Sequence, residues 1–290
     1  MAQTVPADVV TGAARLLDGT PERVWATASG AVLAVLGDVV VKVHPAGTDT
    51  ADLGARVATA DRPALRGIVA RPCRPDVVPV GDDARPATLW PRLDVLAPDS
   101  PTAPWQEAAV LLAALHRTPA GALPPHGAPD RLRRAVARVD GLDDAASRAV
   151  QAAGRRVLAD VDRLPATRRH LVHGDWHLGQ LGRDAAGRWL LLDLDDLGTG
   201  DPAWDLGRPA GFHAAGLLAD DVWTTFLAAY RTAGGPGVPA HGDPWPVLDV
   251  PARAEVVVAA ARAVVRVLDG LEPWDDDAEA LVAACDRMPL

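Results

Sequence analysis

The spacing of hydrophobic and polar positions divides the chain into a strand-rich first part and a helix-rich remainder. Up to about residue 93, short β-branched and apolar runs are separated by glycine and proline, and one helical pattern, at 50–60, interrupts them. The runs predict strands at 24–28, 31–36, 39–43, 77–80 and 87–90. We therefore expect a small sheet lobe at the start of the chain.

From residue 104 onward, apolar residues recur at helical spacing. Helices are predicted at 104–117, 129–139, 143–164, 220–232, 251–268 and 275–287, with two short apolar strands at 170–173 and 189–193. Residues 92–103, rich in Pro and Asp, form the predicted connector. The expected fold class is α+β, with a β-rich domain at 1–93 and a larger, mainly helical domain at 94–290.

The composition of the chain limits the kinds of molecule that it is expected to bind. A formal net charge of −9 lacks the basic footprint that nucleic-acid binding requires, whereas a cationic small molecule would be attracted. No basic, then apolar, leader is present at residues 1–10, and no apolar stretch approaches membrane-spanning length, so we expect no membrane partner. Two distant cysteines are typical of a reducing compartment, and we expect a cytoplasmic location.

The sequence contains a single lysine, Lys42, within the run Val-Val-Val-Lys-Val at 39–43. An ammonium group is an unusual choice in a β-branched strand, especially in a chain that otherwise uses arginine for positive charge. Either Lys42 extends to solvent from a strand edge, or a compact point charge is needed there.

The strongest chemical signal is His-Gly-Asp-Trp-His-Leu-Gly-Gln at 173–180, followed by Leu-Leu-Leu-Asp-Leu-Asp-Asp at 190–196. An Asp after a strand, an amide five residues later and a carboxylate on the next strand provide three oxygen donors, which suit Mg²⁺ and a phosphate chain. This is the spacing of a phosphotransfer site, in which Asp175 accepts the proton of an acceptor hydroxyl. Lys42 would then bind the non-transferred phosphates.

These residues, with Gly-Asp-Pro-Ala-Trp-Asp-Leu at 200–206, resemble small-molecule kinases of the aminoglycoside phosphotransferase and choline kinase type. Those enzymes have a two-lobed, protein-kinase-like fold, and the His-Leu-Gly-Gln loop is similar to that of maltokinases and glucosamine kinases. The resemblance implies that Asp175 is catalytic and that Gln180, in place of the usual Asn, and Asp193 bind Mg²⁺. It also implies that Asp205 supports the loop. For His173 we expect a hydrogen bond that orients the loop and no transfer of protons.

The same resemblance assigns the nucleotide side. Ser29 and Gly30, after Ala28, form a short phosphate-covering loop. Near the connector, the backbone of Trp90, Pro91, Arg92 and Leu93 would bind adenine. A glutamate normally pairs with the strand lysine, but no Glu occurs between Glu22 and Glu107, so Asp52 is the predicted substitute.

The function implied is transfer of the γ-phosphoryl group of ATP or GTP to a hydroxyl of a small molecule, most directly an aminosugar or aminoglycoside. The candidate acceptor-binding residues are His177, Asp195, Asp220 and Asp221. The alternative acceptors are a neutral sugar, a macrolide or a choline-like alcohol. Because the usual Glu is missing and the loop is short, a non-catalytic nucleotide sensor is the alternative of another class.

Two other patterns allow different chemistry. His173, Asp175 and His177 have the alternation of a transition-metal cluster in a hydrolase. Gly198, Gly200 and Ala203 imitate a dinucleotide fingerprint after an apolar strand. The glycines at 174 and 179 favour a loop over a metal cluster built on a strand. The acidic run at 193–196 would repel the pyrophosphate of a bound dinucleotide.

Overall fold

The computed structural model of the protein describes residues 5–27, 29–97, 102–165 and 169–288. Its contacts divide the described chain into two compact units. The first contains the residues up to 97, together with 122–124 and 179–195, and the second contains the remainder. This division differs from the single boundary predicted between residues 93 and 94, because the segment 179–195 packs with the first unit.

The secondary structure of the first unit consists of two helices and eight strands in the described residues. The helices are α1 (Ala7–Leu16) and α2 (Thr50–Ala60). The strands are β1 (Arg23–Ala26), β2 (Val32–Leu36), β3 (Val39–Val43), β4 (Val78–Val80), β5 (Arg85–Pro91), β6 (Asp94–Val95), β8 (Leu181–Arg183) and β9 (Trp189–Leu191).

The second unit is mainly helical. Its described helices are α3 (Trp105–Arg117), α4 (Ala128–Val139), α5 (Ala145–Val161), α6 (Ala203–Ala214), α7 (Asp220–Thr232), α8 (Trp245–Leu268) and α9 (Asp276–Arg287). Its strands, β7 (His170–Val172) and β10 (Gly198–Gly200), pair antiparallel.

The five-stranded antiparallel sheet of the first unit has the order β1-β2-β3-β5-β4. Its core is made by alternate apolar residues such as Val41 and Val43, which are fully buried and pack with α1. Burial of such side chains is the main source of free energy for the unit. Lys42 lies between these two valines on the central strand β3, opposite Leu33 on β2 and Thr88 on β5.

A smaller sheet, β6-β8-β9, joins the late segment to the same unit. Asp94 pairs with Arg183, and Leu191 forms a bridge with Val69. These ladders position the two ends of the segment 179–195, where the predicted metal ligands Gln180 and Asp193 are found.

The centre of the second unit is α8, which packs against α4, α5, α6 and α9. Helix α6 approaches α8 closely because Gly207 and Gly211 have no side chain: a Cβ on Gly207 would lie 2.8 Å from the carbonyl oxygen of Pro251. Pro251 lies inside α8, so the predicted helix start at residue 251 was wrong and α8 begins six residues earlier. The prediction assumed that proline marks a first turn, whereas packing tolerates it here within the helix.

Several elements differ from the sequence prediction. Helix α1 was not predicted, and neither were the short strands β6, β8 and β10. Gly198–Gly200 forms a strand paired with β7, so these glycines do not form the phosphate-binding turn of a dinucleotide site. In the part of the chain that the structure describes, no helix has both the length and the apolarity needed to span a bilayer.

Candidate functional site

Lys42 is held by two carboxylates in the first unit. Its Nζ lies 2.5 Å from Oδ1 of Asp193 and 2.8 Å from Oδ2 of Asp195. The side chain of Lys42 is almost buried, whereas those of the two aspartates are 38% and 40% exposed. The ammonium therefore binds the acidic segment instead of extending into solvent.

The charges in this cluster stabilise one another. Burial would lower the pKa of Lys42, but the charges of Asp195 and Asp193 outweigh it and raise the pKa above its ordinary value. Desolvation would raise the pKa of Asp195, but Lys42 and then His44 reverse this and lower it. Lys42 therefore stays positively charged beside the two carboxylates.

Asp195 also contacts His44, whose Nδ1 lies 3.5 Å from Oδ2 of the aspartate. The other ring nitrogen of His44 hydrogen-bonds to Oγ1 of Thr88 at 3.0 Å. Asp195, predicted to bind the acceptor, therefore pairs with the lysine and a histidine of the sheet.

Asp52, predicted as the partner of Lys42, does not fill that role. It lies in the first turn of α2, where its backbone amide donates to the capping carboxylate of Asp49. Among the described residues, the ion pairs of Lys42 are those with Asp193 and Asp195. The prediction failed because it searched only for a carboxylate on the following helix, whereas the partners are about 150 residues away in sequence.

Gln180 and Asp193 are brought together as predicted metal ligands. Nε2 of Gln180 lies 3.3 Å from Oδ2 of Asp193, and Gln180 is buried in a 3₁₀ turn at Leu178–Gln180. Asp193 has a φ of 60°, in the left-handed region that few residues other than glycine adopt. Such backbone strain is found preferentially at functional sites.

The donor chemistry of this pair fits Mg²⁺. A carboxylate and a carboxamide supply hard oxygen ligands, and Mg²⁺ in nucleotide sites is held by one or two such groups together with water and phosphate. The amide group of Gln180 donates to the carboxylate of Asp193 at 3.3 Å, so the two side chains lie side by side.

The predicted phosphate loop is a tight turn between β1 and β2. Ser29 Oγ lies 2.9 Å from Thr27 Oγ1, and the amide of Gly30 donates to the carbonyl of Thr27. Gly30 has a φ of 84°, which explains glycine at this position. Ala28, the third residue of the predicted loop, lies outside the described residues.

The predicted adenine-binding stretch begins at the end of strand β5. Trp90 and Pro91 belong to β5, opposite Val40 and Val39 of β3. The backbone amide of Arg92 already donates to the carbonyl of Asp38. Half-buried Leu93 follows, and residues 98–101 of the predicted connector lie outside the described parts of the chain.

In the second unit, Asp205 fixes the loop that carries Asp175. Oδ2 of Asp205 accepts a hydrogen bond of 2.7 Å from the amide of His173, and Oδ1 accepts one of 2.8 Å from the amide of Gly174. Nε2 of His116 lies 2.8 Å from Oδ2. Asp205, His173 and His116 are all buried, so the loop rests on a carboxylate shielded from water.

Gly174 is required by the shape of this loop. Its φ is 86°, and a Cβ at this position would lie 2.3 Å from the carbonyl oxygen of Asp196. The loop therefore passes so close to the backbone of Asp196 that residue 174 can carry no side chain.

Asp175 is contacted by two arginines that the sequence analysis did not select. Nη1 of Arg131 and Nη2 of Arg208 each lie 3.4 Å from its Oδ1. Both arginines also bind Glu255, which is buried in α8. The arginines carry no distinctive sequence signal, but a single carboxylate in the apolar run Ala-Glu-Val-Val-Val-Ala at 254–259 could have been noticed.

The remaining predicted acceptor residues are dispersed. His177 stays neutral, because burial and the positive charge of Arg208 lower its pKa to about 3. Asp220 is 98% exposed and lies 3.5 Å from His213. Asp221 lines a cavity of about 270 Å³ together with Trp105 and Glu107.

The hydrolase alternative is not supported. Within the described ranges, no group of three or more His, Cys, Asp or Glu side chains is arranged to hold a metal ion. The amide of His173 is bound to Asp205, and Asp175 faces arginines, so this stretch is not a metal-ligand cluster.

Comparisons with known proteins agree on one group. The model of the phosphotransferase enzyme family matches residues 17–246. No curated protein sequence matches the chain.

Solved structures extend the comparison over nearly the whole chain. A choline/ethanolamine kinase family protein from Mesorhizobium loti is 17% identical with a TM-score of 0.60, over 92% of this chain and 87% of that one. A thermostable aminoglycoside phosphotransferase mutant in complex with AMP-PNP and hygromycin B is 17% identical with a TM-score of 0.58, over 97% of each chain. A macrolide 2'-phosphotransferase from Brachybacterium faecium is 19% identical with a TM-score of 0.52, over 96% and 98%. At these identities the likeness shows the fold.

Proposed function

Because the chain belongs to the phosphotransferase enzyme family, we propose that it transfers the γ-phosphoryl group of ATP or GTP to a hydroxyl of a small molecule. The resemblance to the aminoglycoside phosphotransferase and choline kinase group is confirmed, and so is the α+β, protein-kinase-like fold class. One observation carries the proposal for this chain: the strand lysine Lys42 lies in the first unit together with Asp193 and Gln180 of the segment 179–195.

The first unit would hold the nucleotide. Lys42 would exchange its contact with Asp193 for the oxygens of a phosphate, while Asp195 keeps the ammonium in place. Ser29 and Gly30 would cover the phosphates, and the backbone near Trp90, Pro91 and Leu93 would bind the base. The complex of a similar fold with AMP-PNP supports nucleotide use.

Gln180 and Asp193 would hold Mg²⁺ through their side-chain oxygens. When bound, the ion neutralises charge on the phosphate oxygens, which is its usual contribution to phosphoryl transfer. Before it binds, Lys42 balances the negative charge of Asp193 in the same place.

Asp175 would receive the acceptor hydroxyl. Its carboxylate orients the hydroxyl and takes its proton as the hydroxyl oxygen bonds to the γ-phosphorus. The bond from that phosphorus to the β–γ bridging oxygen breaks, and the nucleoside diphosphate leaves, so no covalent enzyme intermediate is needed. Asp205 keeps the backbone of the loop in the required conformation through the amides of His173 and Gly174.

An amino-bearing sugar is the proposed acceptor. Trp105, Glu107 and Asp221 give one cavity of the second unit an aromatic face and two carboxylates, which suits a cationic saccharide. Neutral sugars, macrolides and choline-like alcohols are the alternatives for the panel below.

The test is incubation with magnesium ATP or GTP and a panel of aminosugars, aminoglycosides, neutral sugars, macrolides and choline, read by the mass of the acceptor. A gain of one phosphoryl group, absent in Asp175→Asn, is expected. No product across the panel together with tight nucleotide binding would replace this proposal with a nucleotide sensor.

A further inference from the structure

We propose that Arg131 and Arg208, both held by the buried Glu255, are positioning residues that clamp one oxygen of Asp175 and leave the other for the acceptor. The inference rests on the proposed function, in which Asp175 receives the acceptor hydroxyl. All four side chains belong to the second unit.

The clamp acts on one side of the carboxylate. Nη1 of Arg131 and Nη2 of Arg208 converge on Oδ1 of Asp175, each at 3.4 Å. Among the described residues, no hydrogen bond or ion pair reaches Oδ2. Fixing Oδ1 between two guanidinium groups restricts rotation of the side chain, so Oδ2 keeps one direction.

Glu255 keeps the arginines in place. Its Oε1 lies 2.6 Å from Nη2 of Arg131, and its Oε2 lies 3.0 Å from Nη2 of Arg208. Burial would raise the pKa of Glu255, but the two arginines outweigh it and lower the pKa, so the carboxylate remains charged. A buried carboxylate shared by two cations gives each of them a fixed geometry.

The frame of the clamp is rigid because three helices supply it: Arg131 lies on α4, Arg208 on α6 and Glu255 on α8. Arg131 also donates a hydrogen bond of 2.6 Å to the carbonyl of Gly174 and one of 3.0 Å to Oδ2 of Asp196. Backbone and side chain of the loop are thus held by the same guanidinium. The other charged or titratable groups that interact with members of this cluster include His126, His177, Asp196 and Arg262.

Helix α8 offers a matched control, Arg253. Its side chain is 16% exposed, against 13% for Arg208, and it also binds two carboxylates, at 2.9 Å from Asp160 and 2.6 Å from Asp249. Arg253→Gln and Arg208→Gln each remove two ion pairs of a mostly buried arginine, but only the second touches Asp175.

The first arm of the experiment is independent of turnover. Urea unfolding midpoints are measured for Asp175→Asn, Arg208→Gln, Arg253→Gln and the two double variants. We expect Asp175→Asn with Arg208→Gln to be less destabilised than the sum of the single changes, since both remove one interaction. The double variant with Arg253→Gln should be additive. Additivity in both pairs would overturn the clamp.

The second arm measures phosphoryl transfer to the acceptor found in the panel. Arg208→Gln should lower kcat about 10- to 100-fold with a much smaller change in KM, because a misdirected oxygen affects alignment more than binding. Arg208→Lys should restore part of the loss, and Arg253→Gln should leave kcat unchanged.

The pH dependence separates charge from packing. Removing a positive charge in Arg208→Gln should move the acid limb of kcat/KM to higher pH by about one unit, and Glu255→Gln should move it to lower pH. Loosened packing would not give opposite shifts. Equal kinetics and equal pH profiles for the Arg208 and Arg253 variants would overturn the positioning role. If the unfolding cycle shows coupling but the wild-type protein makes no product, both the positioning role and the proposed function are rejected. If the wild-type protein is active but the cycles are additive, the clamp alone is rejected.

Discussion

Lys42 Nζ lies 2.8 Å from Oδ2 of Asp195, which gives the single lysine of the chain a counter-ion in the acidic segment and not on the helix α2. Because Asp193 occupies the other side of the ammonium, the lysine is in place before any phosphate binds. The position of the ammonium between these two carboxylates leads to the first prediction.

Lys42→Arg should weaken nucleotide binding although it preserves the charge. The side chain is nearly buried, and a planar guanidinium is larger than the ammonium that fits between the two carboxylates. We expect KM for the nucleotide to rise by about tenfold, equivalent to roughly 1.4 kcal/mol. Steady-state kinetics at varied magnesium ATP measure it, and unchanged constants would contradict the phosphate role.

Asp175→Asn should fold and bind magnesium nucleotide but turn over slowly. The amide keeps the size of the side chain and loses the proton-accepting charge, so the rate should fall by about 10² to 10⁴. Single-turnover assays and nucleotide titration check both halves of this expectation. Wild-type turnover would remove Asp175 from the chemistry.

Asp205→Asn should be strongly destabilising. Asp205 accepts from two backbone amides and contacts His116 while only 2% exposed, and an amide group replaces one acceptor by a donor. We expect a loss of about 3 kcal/mol in the free energy of unfolding. Asp130→Asn, whose exposed ion pair with Arg133 lies on the surface, should cost less than about 1 kcal/mol. Equal urea midpoints for the two variants would show that Asp205 does not support the loop.

Gly174→Ala should be worse than Gly216→Ala. The two glycines have φ values of 86° and 82°, so both changes carry similar backbone strain of about 1 kcal/mol. Only at Gly174 would the new Cβ meet another atom, the carbonyl oxygen of Asp196, since nothing lies within 4 Å at Gly216. Urea unfolding and phosphotransfer assays of both variants isolate the cost of this contact, and equal losses would show that the loop can move away.

Acid should destabilise the fold through one buried and one partly buried histidine. Burial lowers the pKa of His126 to about 4 and that of His177 to about 3, against about 6.5 in the unfolded chain. Below about pH 6.5 the unfolded state therefore binds more protons, and stability falls as pH decreases toward these values, by about 1 kcal/mol per pH unit for each histidine. Urea unfolding between pH 7.5 and 5 measures the slope.

The slope should become smaller in His126→Gln and His177→Gln, while the exposed His241→Gln should leave it unchanged. A slope that is insensitive to the first two substitutions would show that other groups bind the protons.

The sequence predicted the elements whose patterns are local. Strands such as β3 and helices such as α2 have the predicted bounds because their apolar spacing matches their own burial. Pro251 shows the opposite case: its place inside α8 depends on the close approach of Gly207 from another helix, and no periodicity within α8 reveals that.

The site shows the same limit. Gln180, Asp193 and Asp205 were selected because their motifs are short and ordered along the chain. The partners of Lys42 and of Asp175 were missed, since ion pairs between residues 151 and 33 positions apart leave no local spacing that a sequence pattern could reveal. In a chain rich in arginine, Arg131 and Arg208 differ from the other arginines only by what lies beside them in three dimensions.

Because residues 179–195 belong to the first unit, this unit cannot finish folding until the later segment has been synthesised. Val69 and Asp94 wait for Leu191 and Arg183, which leave the ribosome roughly a hundred residues later. A fragment that stops at residue 97 would expose these unpaired edges, and nascent chains of that length should be sensitive to protease until the late hairpin emerges. The amino-terminal part of this protein is thus among the last to become complete.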